Sequence, residues 1–264
     1  MAGVLRRSLA ILERLAAAVD GMPLASLADE LDIPRSAAHR LLAELADEGY
    51  VRQIRERGDY VLTTKLVSLG LNYLKGAGVV DLCQPVLDRL AESTGELVRL
   101  GVVDVDHITW VALSQGARKG LRYDPDTGRD VELSCSAAGH AWLSTLDEDD
   151  AIALLTRQGL ASPQDHGPNA PTSIAGVMKA VRAARAQGYA TASDSYAPGL
   201  SAVCCVIRPR GKGAVGVLAI SGPSVRLTAA RMKELGPGLQ AAADEIAHVA
   251  AASPLMQREF ARAA

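Results

Sequence analysis

Residues 34–48 place Arg35, Ser36, His39 and Arg40 along one edge of a helical repeat whose other edge is Ala38, Leu41, Leu42 and Leu45. An α-helix fits the major groove of B-DNA, and residues near its N-terminus reach base edges. Arginine offers a guanine edge two parallel N–H donors. Ser36 and the helix's own N-terminal amides suit phosphate oxygens. Arg52, Arg55 and Arg57 stand in and beside a following hairpin, placed to hold the adjacent backbone or minor groove. Glu44, Asp47 and Glu48 gather at the far end of the helix, away from a duplex in this reading. Residues 1–75 carry ten basic and ten acidic side chains, so the segment is neutral as a whole. DNA binding then rests on asymmetry within it and on dimerisation doubling the contacts. A solvated or protein-docking surface is the alternative use of the same edge.

Other motifs with chemical potential fall short of a catalytic set. Gly199-Leu200-Ser201-Ala202-Val203 imitates a nucleophile elbow but lacks the final glycine that lets strand and helix close together. Gly236-Pro237-Gly238 resembles a dinucleotide loop, yet no strand precedes it and Pro237 lacks the N–H that a phosphate needs. Gly211-Lys212 has no following Ser or Thr. His39, His107, His140, His166 and His248 are scattered without metal-binding spacing, and Asp165-His166 reads as a surface pair. Cys83, Cys135, Cys204 and Cys205 form no C-x-x-C and read as reduced, buried thiols. No metal and no cofactor is expected.

These residues need a scaffold, and the periodicity supplies one. Leu5, Ser8, Leu9, Leu12, Leu15 and Val19 predict one face of a first helix stopped by Gly21. A short helix over 25–31 turns Leu27, Ala28 and Leu31 inward. Asp32-Ile33-Pro34 breaks the chain before the basic helix. The period then changes to two over 50–54 and 60–63, joined by Arg55-Glu56-Arg57-Gly58-Asp59. Helix, helix, turn, helix and hairpin make a winged helix-turn-helix.

A helix over 64–75, with Leu66, Leu69 and Tyr73 on one side, leads to Gly76-Ala77-Gly78. Beyond it the pattern alternates. Helices are predicted over 81–93, 137–145, 148–157, 173–187 and 228–252, the last capped by Thr228. Strands are predicted over 97–103, 107–113, 189–193, 202–207 and 214–220, with a turn at Asp124-Pro125-Asp126-Thr127-Gly128. Short turns between some strands and helices between others predict an α+β fold, a mainly antiparallel sheet with helices packed on it. The domains are read as 1–63, DNA-binding; 64–78, connecting helix and linker; and 79–264, effector binding and oligomerisation.

The composition agrees. Of 264 residues, 48% are hydrophobic and 22% charged, enough for a sizeable core. A net charge of −2 excludes a histone-like tail, and 2 Trp, 6 Tyr and 1 Phe argue against an aromatic platform for single strands. The longest run free of acidic and basic residues, 133–146, is shorter than the roughly 20 residues of a spanning helix. Glu13 and Arg14 interrupt any secretory signal, so no membrane partner and a cytoplasmic location are expected.

Taken together the chain resembles the IclR family of bacterial transcriptional regulators. The matching stretches include Ser8-Leu9-Ala10-Ile11-Leu12, Ser36-Ala37-Ala38-His39-Arg40-Leu41-Leu42 and Gly49-Tyr50-Val51. In the second half they are Thr94-Gly95-Glu96, Gly139-His140-Ala141, Gly188-Tyr189-Ala190 and Ile220-Ser221-Gly222-Pro223. The resemblance implies a GAF-like α/β effector domain, a homodimer through the DNA-binding part, commonly a dimer of dimers, and a pseudo-palindromic operator. It also implies operator affinity controlled by a small-molecule effector, an organic or aromatic acid. By that resemblance the effector pocket is lined by Ser136, Ala137, Ala138, Leu200, Ala202, Ala219 and Ser221. Ser136, Ser221 and the helix end near Ala137 are then the groups facing a carboxylate. Arg118 and Arg122 read as solvated, with a counter-charge role as the alternative. His140 and Ala202 stand where family members tend to have Lys or Arg and, in some, Cys. An enzyme acting on a small carboxylate, with an N-terminal assembly domain, is the alternative function.

Overall fold

Apolar residues at three- and four-residue spacing wind the first segment into α1 (Val4–Ala16), α2 (Leu24–Glu30) and α3 (Arg35–Asp47). Between α2 and α3 Asp32 takes a left-handed φ of 49°, and the Ile33 amide bonds the Ala28 carbonyl at 2.9 Å, closing a tight turn. The hairpin β1 (Val51–Gln53) and β2 (Tyr60–Leu62) is antiparallel, with Val51 opposite Leu62. Ile11, Leu15, Leu27, Ala28, Ala38, Leu41, Leu42 and Val51 form one small core. This is a winged helix-turn-helix.

The computed structural model describes residues 3–55, 58–123, 130–162, 164–249 and 252–256. The chain divides into two compact units, Met1–Tyr73 and Leu74–Ala264. Glu56, Arg57 and the turn read at 124–128 lie outside the described residues.

The first helix differs from its sequence reading. It ends at Ala16, and Leu5, Leu9 and Val19 are exposed while Ile11 and Leu15 carry the burial. The buried stripe is rotated because a three-helix core admits only the residues that meet α3 and β2. Gly21, with φ 100°, serves the turn into Met22, whose backbone bridges Tyr60.

Helix α4 (Lys65–Ala77) runs from the first unit into the second. Gly78, at φ 63°, separates it from α5 (Val79–Thr94). Next come β3 (Leu97–Asp104), β4 (His107–Gln115), α6 (Ala137–Leu143), α7 (Glu148–Gln158), α8 (Ile174–Gln187), β5 (Ala190–Ser193), β6 (Leu200–Ile207), β7 (Gly216–Pro223) and α9 (Ala229–Val249). The five strands form one wholly antiparallel sheet in the order β4-β3-β7-β6-β5.

Alternation along the strands gives the sheet two faces. Val98, Leu100, Val203, Leu218 and Ile220 turn toward Leu87 of α5 and Leu239 and Ile246 of α9. Cys204, Val217 and Ala219 turn toward Ala141 of α6 and Val177 and Val181 of α8. Every residue of the central strand β7 is buried, as expected where helices cover both faces. The four cysteines are free and buried, and loss of hydration pushes their thiols up, to about 11 for Cys83 and about 12 for Cys135 and Cys205. Thr228 caps α9 by accepting the Arg231 amide at 3.3 Å.

Candidate functional site

Two places bring polar chemistry together, one in each unit. In the first, the sides of α3 separate as the spacing requires. Ala38, Leu41 and Leu42 are buried against the core, and Arg35, Ser36, His39 and Arg40 are exposed. A helix of 13 residues is about 20 Å long, so this flank presents a rigid edge. Arg52 and Arg55 are exposed on the hairpin beside it, and Arg57 lies outside the described residues.

Acidic neighbours stand closer than the sequence reading placed them. Arg40 lies 3.9 Å from Glu44, one turn along, and Arg35 lies 3.4 Å from Asp29 of α2. All four side chains are more than half exposed, so each pair contributes at most about 1 kcal/mol and yields readily to a phosphate.

The second place is a cavity of about 50 Å³ between the sheet and the segment that leads into α6. It gathers all seven residues named from the resemblance: Ser136, Ala137 and Ala138 from α6 and its cap, Leu200 and Ala202 from β6, Ala219 and Ser221 from β7. Their register explains the meeting, since Ala202 lies opposite Ser221 and Ala192 opposite Ala202 across neighbouring strands.

Among the residues missed in the sequence that line the same space are Arg99, Trp110, Tyr123 and Tyr196. Arg99 sits on β3 opposite Ala219. Trp110 reaches the same face because successive β3 residues Leu100 and Gly101 pair with Ala112 and Trp110, leaving Val111 as a bulge. Gly101 admits close packing there, because a Cβ would stand 2.7 Å from Ile108, 2.8 Å from Val217 and 3.3 Å from the Trp110 ring. Tyr123 is delivered by a loop held at Leu121 and at Tyr123 itself. Gln115 donates to the Tyr123 carbonyl at 3.0 Å, and Arg226, paired with buried Glu96 at 2.7 and 2.8 Å, donates to the Leu121 carbonyl. The only sequence signal for Arg99 is a lone cation inside the apolar strand Leu97–Asp104.

Burial lowers the Arg99 pKa by penalising its charge, only partly offset by Tyr123, Tyr196 and Cys204. Arg118 and Arg122 are exposed and do not line the cavity. Ser136 is already engaged, donating to the Glu132 carbonyl at 2.6 Å and accepting the Gly139 amide at 3.0 Å. The Ser136 side chain thus caps α6 at the Gly139 amide.

His140 also turns away from the cavity. Its Nε2 stands 3.0 Å from the Ser134 carbonyl, and Nδ1 has no partner among the described residues. Burial pushes its pKa below the ordinary value, against a smaller upward pull from that carbonyl. The unfolded imidazole takes up its proton near pH 6.5 and the folded one only at lower pH. Stability is thus full above about pH 6.5 and is lost as pH falls from there through the folded pKa. An H140Q variant is expected to show a shallower decline in urea midpoint between pH 7.5 and 5 than the native chain; parallel declines would refute this.

The elbow-like Ser201 is buried and donates to Ser193 Oγ at 2.9 Å. Among the described residues no group of three or more His, Cys, Asp or Glu could hold a metal ion. No single helix among them is long and apolar enough to cross a membrane.

Comparison with known proteins covers both places. The model of the IclR helix-turn-helix domain matches residues 4–55, and that of the bacterial transcriptional regulator IclR C-terminal domain matches residues 71–248. The chain is 30% identical over 243 residues to the acetate operon repressor of Salmonella typhimurium, covering 92% of this chain and 88% of that protein. It is 29% identical over 245 residues to the transcriptional repressor IclR of Escherichia coli, again covering 92% and 88%. Among solved structures, an IclR transcriptional regulator from Alicyclobacillus acidocaldarius matches with a TM-score of 0.76, 20% identity and coverage of 92% and 98%. An IclR homolog from Microbacterium hydrocarbonoxydans complexed with 4-hydroxybenzoate matches with a TM-score of 0.73, 18% identity and coverage of 93% and 100%. These families and relatives are transcriptional regulators rather than enzymes.

Proposed function

The chain belongs to the IclR family of bacterial transcriptional regulators, and from that premise we propose how it reads DNA and how it is released. Helix α3 enters the major groove with Arg35, Ser36, His39 and Arg40 toward the bases and phosphates, while Arg52, Arg55 and Arg57 hold the flanking backbone. The observation that carries this reading is the division of α3 between a buried apolar side and an exposed basic one. The protein acts in the cytoplasm as a homodimer, and as a dimer of dimers, on a pseudo-palindromic operator. Its half-sites lie about 10 bp apart or a multiple of that.

Exposed apolar residues on the first unit support the pairing. Val4, Leu5 and Leu9 of α1, with Val67, Leu69 and Leu71 of α4, leave apolar surface that a second copy would cover. The domain reading remains 1–63 for DNA binding, 64–78 for the connection and 79–264 for the effector. The two relatives near 30% identity are both named repressors, which supports repression as the sign of control.

The effector is a small organic or aromatic acid held in the cavity between β6, β7 and α6, near Ser136, Ala137, Ala138, Leu200, Ala202, Ala219 and Ser221. The 4-hydroxybenzoate complex of the Microbacterium protein supports an acid of this class. Effector binding changes operator affinity only as far as it favours one arrangement of the paired DNA-binding units over another. Helix α4 is the covalent path between the two units.

The α3 docking is tested by Arg40→Ala. Its operator affinity is expected to fall by about 5- to 150-fold, the equivalent of about 1–3 kcal/mol for an arginine that reads a base. Folding and ligand binding stay unchanged, because Arg40 is exposed and its partner Glu44 is equally solvated. Gel-shift titration at fixed salt checks it, and an unaltered affinity would remove α3 from the interface.

A further inference from the structure

Arg99 is a cationic side chain with a buried nitrogen that has no hydrogen-bond partner among the described residues. It stands within β3, its guanidinium carbon 4.0 Å from the centre of the Trp110 ring and 5.6 Å from that of Tyr123. The ring faces attract a cation. Its Nε is buried and without a hydrogen-bond partner among the described residues. Among the described residues its electrostatic neighbours are Tyr123, Tyr196 and Cys204. A buried cation left in this state is costly, and an acceptor brought from outside would complete it.

The other charges around the cavity narrow the choice. Among the described residues, Asp130 and Glu132 line it as well as Arg99. An anion with a single charge finds Arg99 and can keep its remaining atoms clear of the acidic rim. A second negative group on the same small molecule would meet Asp130 and Glu132. Arginine's planar fork also matches a carboxylate through two parallel N–H donors. The walls beside it, Ala137, Ala192, Ala202 and Ala219, are small and leave the space to the ligand's body.

We propose that Arg99 is the residue that reads the effector's charge, and that the effector is a monocarboxylate whose carboxylate lies on the Arg99 guanidinium between Trp110 and Tyr123. This rests on the effector reading of the cavity and adds to it the anchoring group and the rejection of dianions.

Six probes in matched sets test it: propionate, propionamide and malonate, then 4-hydroxybenzoate, 4-hydroxybenzamide and terephthalate. They are titrated into the full chain while tryptophan emission and thermal midpoint are followed, since Trp110 lies in the cavity. At least one monocarboxylate is expected to bind the native chain about 10- to 100-fold more tightly than its amide or dicarboxylate partner, the span of a charge-assisted hydrogen-bonded pair. Arg99→Met is expected to lose that preference while its affinity for the amide is unchanged, and Arg99→Lys to keep part of it. Binding of amide or dicarboxylate as tightly as the monocarboxylate, or equal acid affinity in Arg99→Met, would overturn the assignment but leave the cavity as an effector site. Failure of all six to bind the native chain would overturn the effector reading and the assignment together. If Arg99→Met does not fold, the acid-to-amide ratio of the native chain and of Arg99→Lys decides.

Discussion

Operator affinity is expected to fall by roughly 10³–10⁵ between 50 and 200 mM salt if about 6–10 phosphates are contacted. The count follows from the exposed flank. Arg35, Arg52 and Arg55 are exposed, so the proposed pair of copies would present six of them, twice three, to phosphates, with Arg40 kept for a base. Each phosphate neutralised releases condensed counterions, and the logarithm of affinity falls linearly with that of salt, with a slope of about −0.9 per phosphate. The ion pairs with Asp29 and Glu44 do not cancel this, because both are solvated and screened by the same salt. Filter binding or gel shift over four salt concentrations gives the slope. A flat response would mean that the basic edge docks protein, since a neutral unit draws no long-range attraction from DNA without a one-sided face.

The second large effect is expected from Gly139→Ala. A Cβ at Gly139 would stand 2.4 Å from both the Leu133 Cα and the Leu133 carbonyl oxygen, which are backbone atoms that cannot rotate aside. That segment is itself fixed, as Leu133 N donates to the Gln158 side-chain oxygen at 2.7 Å and the Gln158 side-chain nitrogen donates to the Val131 carbonyl at 2.9 Å. Helix α6 must therefore lift, carrying Ser136, Ala137 and Ala138 away from the cavity. Overpacking of this kind costs about 3 kcal/mol, equivalent to roughly 6–12 °C in the midpoint of a unit of this size. Acid binding is expected to be lost and effector-free operator binding kept, because the winged helix-turn-helix has its own core. Calorimetry with a parallel gel shift checks both, and an unmoved upper transition would refute the argument.

The winged helix-turn-helix was legible because local rules agree there. Pro34, the Ala38–Leu41–Leu42 stripe and the switch of period after Gly49 each point to the same element, and all three lie where expected. The first helix was harder to read because it carries two apolar stripes, and periodicity cannot say which one faces inward. Ile11 and Leu15 face the core, while Leu5 and Leu9 stay outside. In the second unit, residues beside one another in the sheet are far apart in the chain. Arg99 opposite Ala219 depends on the β3–β7 pairing, and no local pattern encodes it. The bulge that aims Trp110 is equally silent, because one extra residue in an apolar strand leaves the alternation nearly intact. The seven residues first named for the cavity came from resemblance, whereas the cation beside them required the sheet.

The four sequestered sulfurs have a practical consequence for following the protein at work. Cys83, Cys135, Cys204 and Cys205 are shielded from water and hold their protons well past neutrality, so an electrophilic label finds almost no thiolate to attack on the native surface. One engineered cysteine on the outer side of α3 would then carry a spin probe or dye without background. The separation between two such probes in a pair of copies, read with and without the acid, would report directly how far the reading heads move.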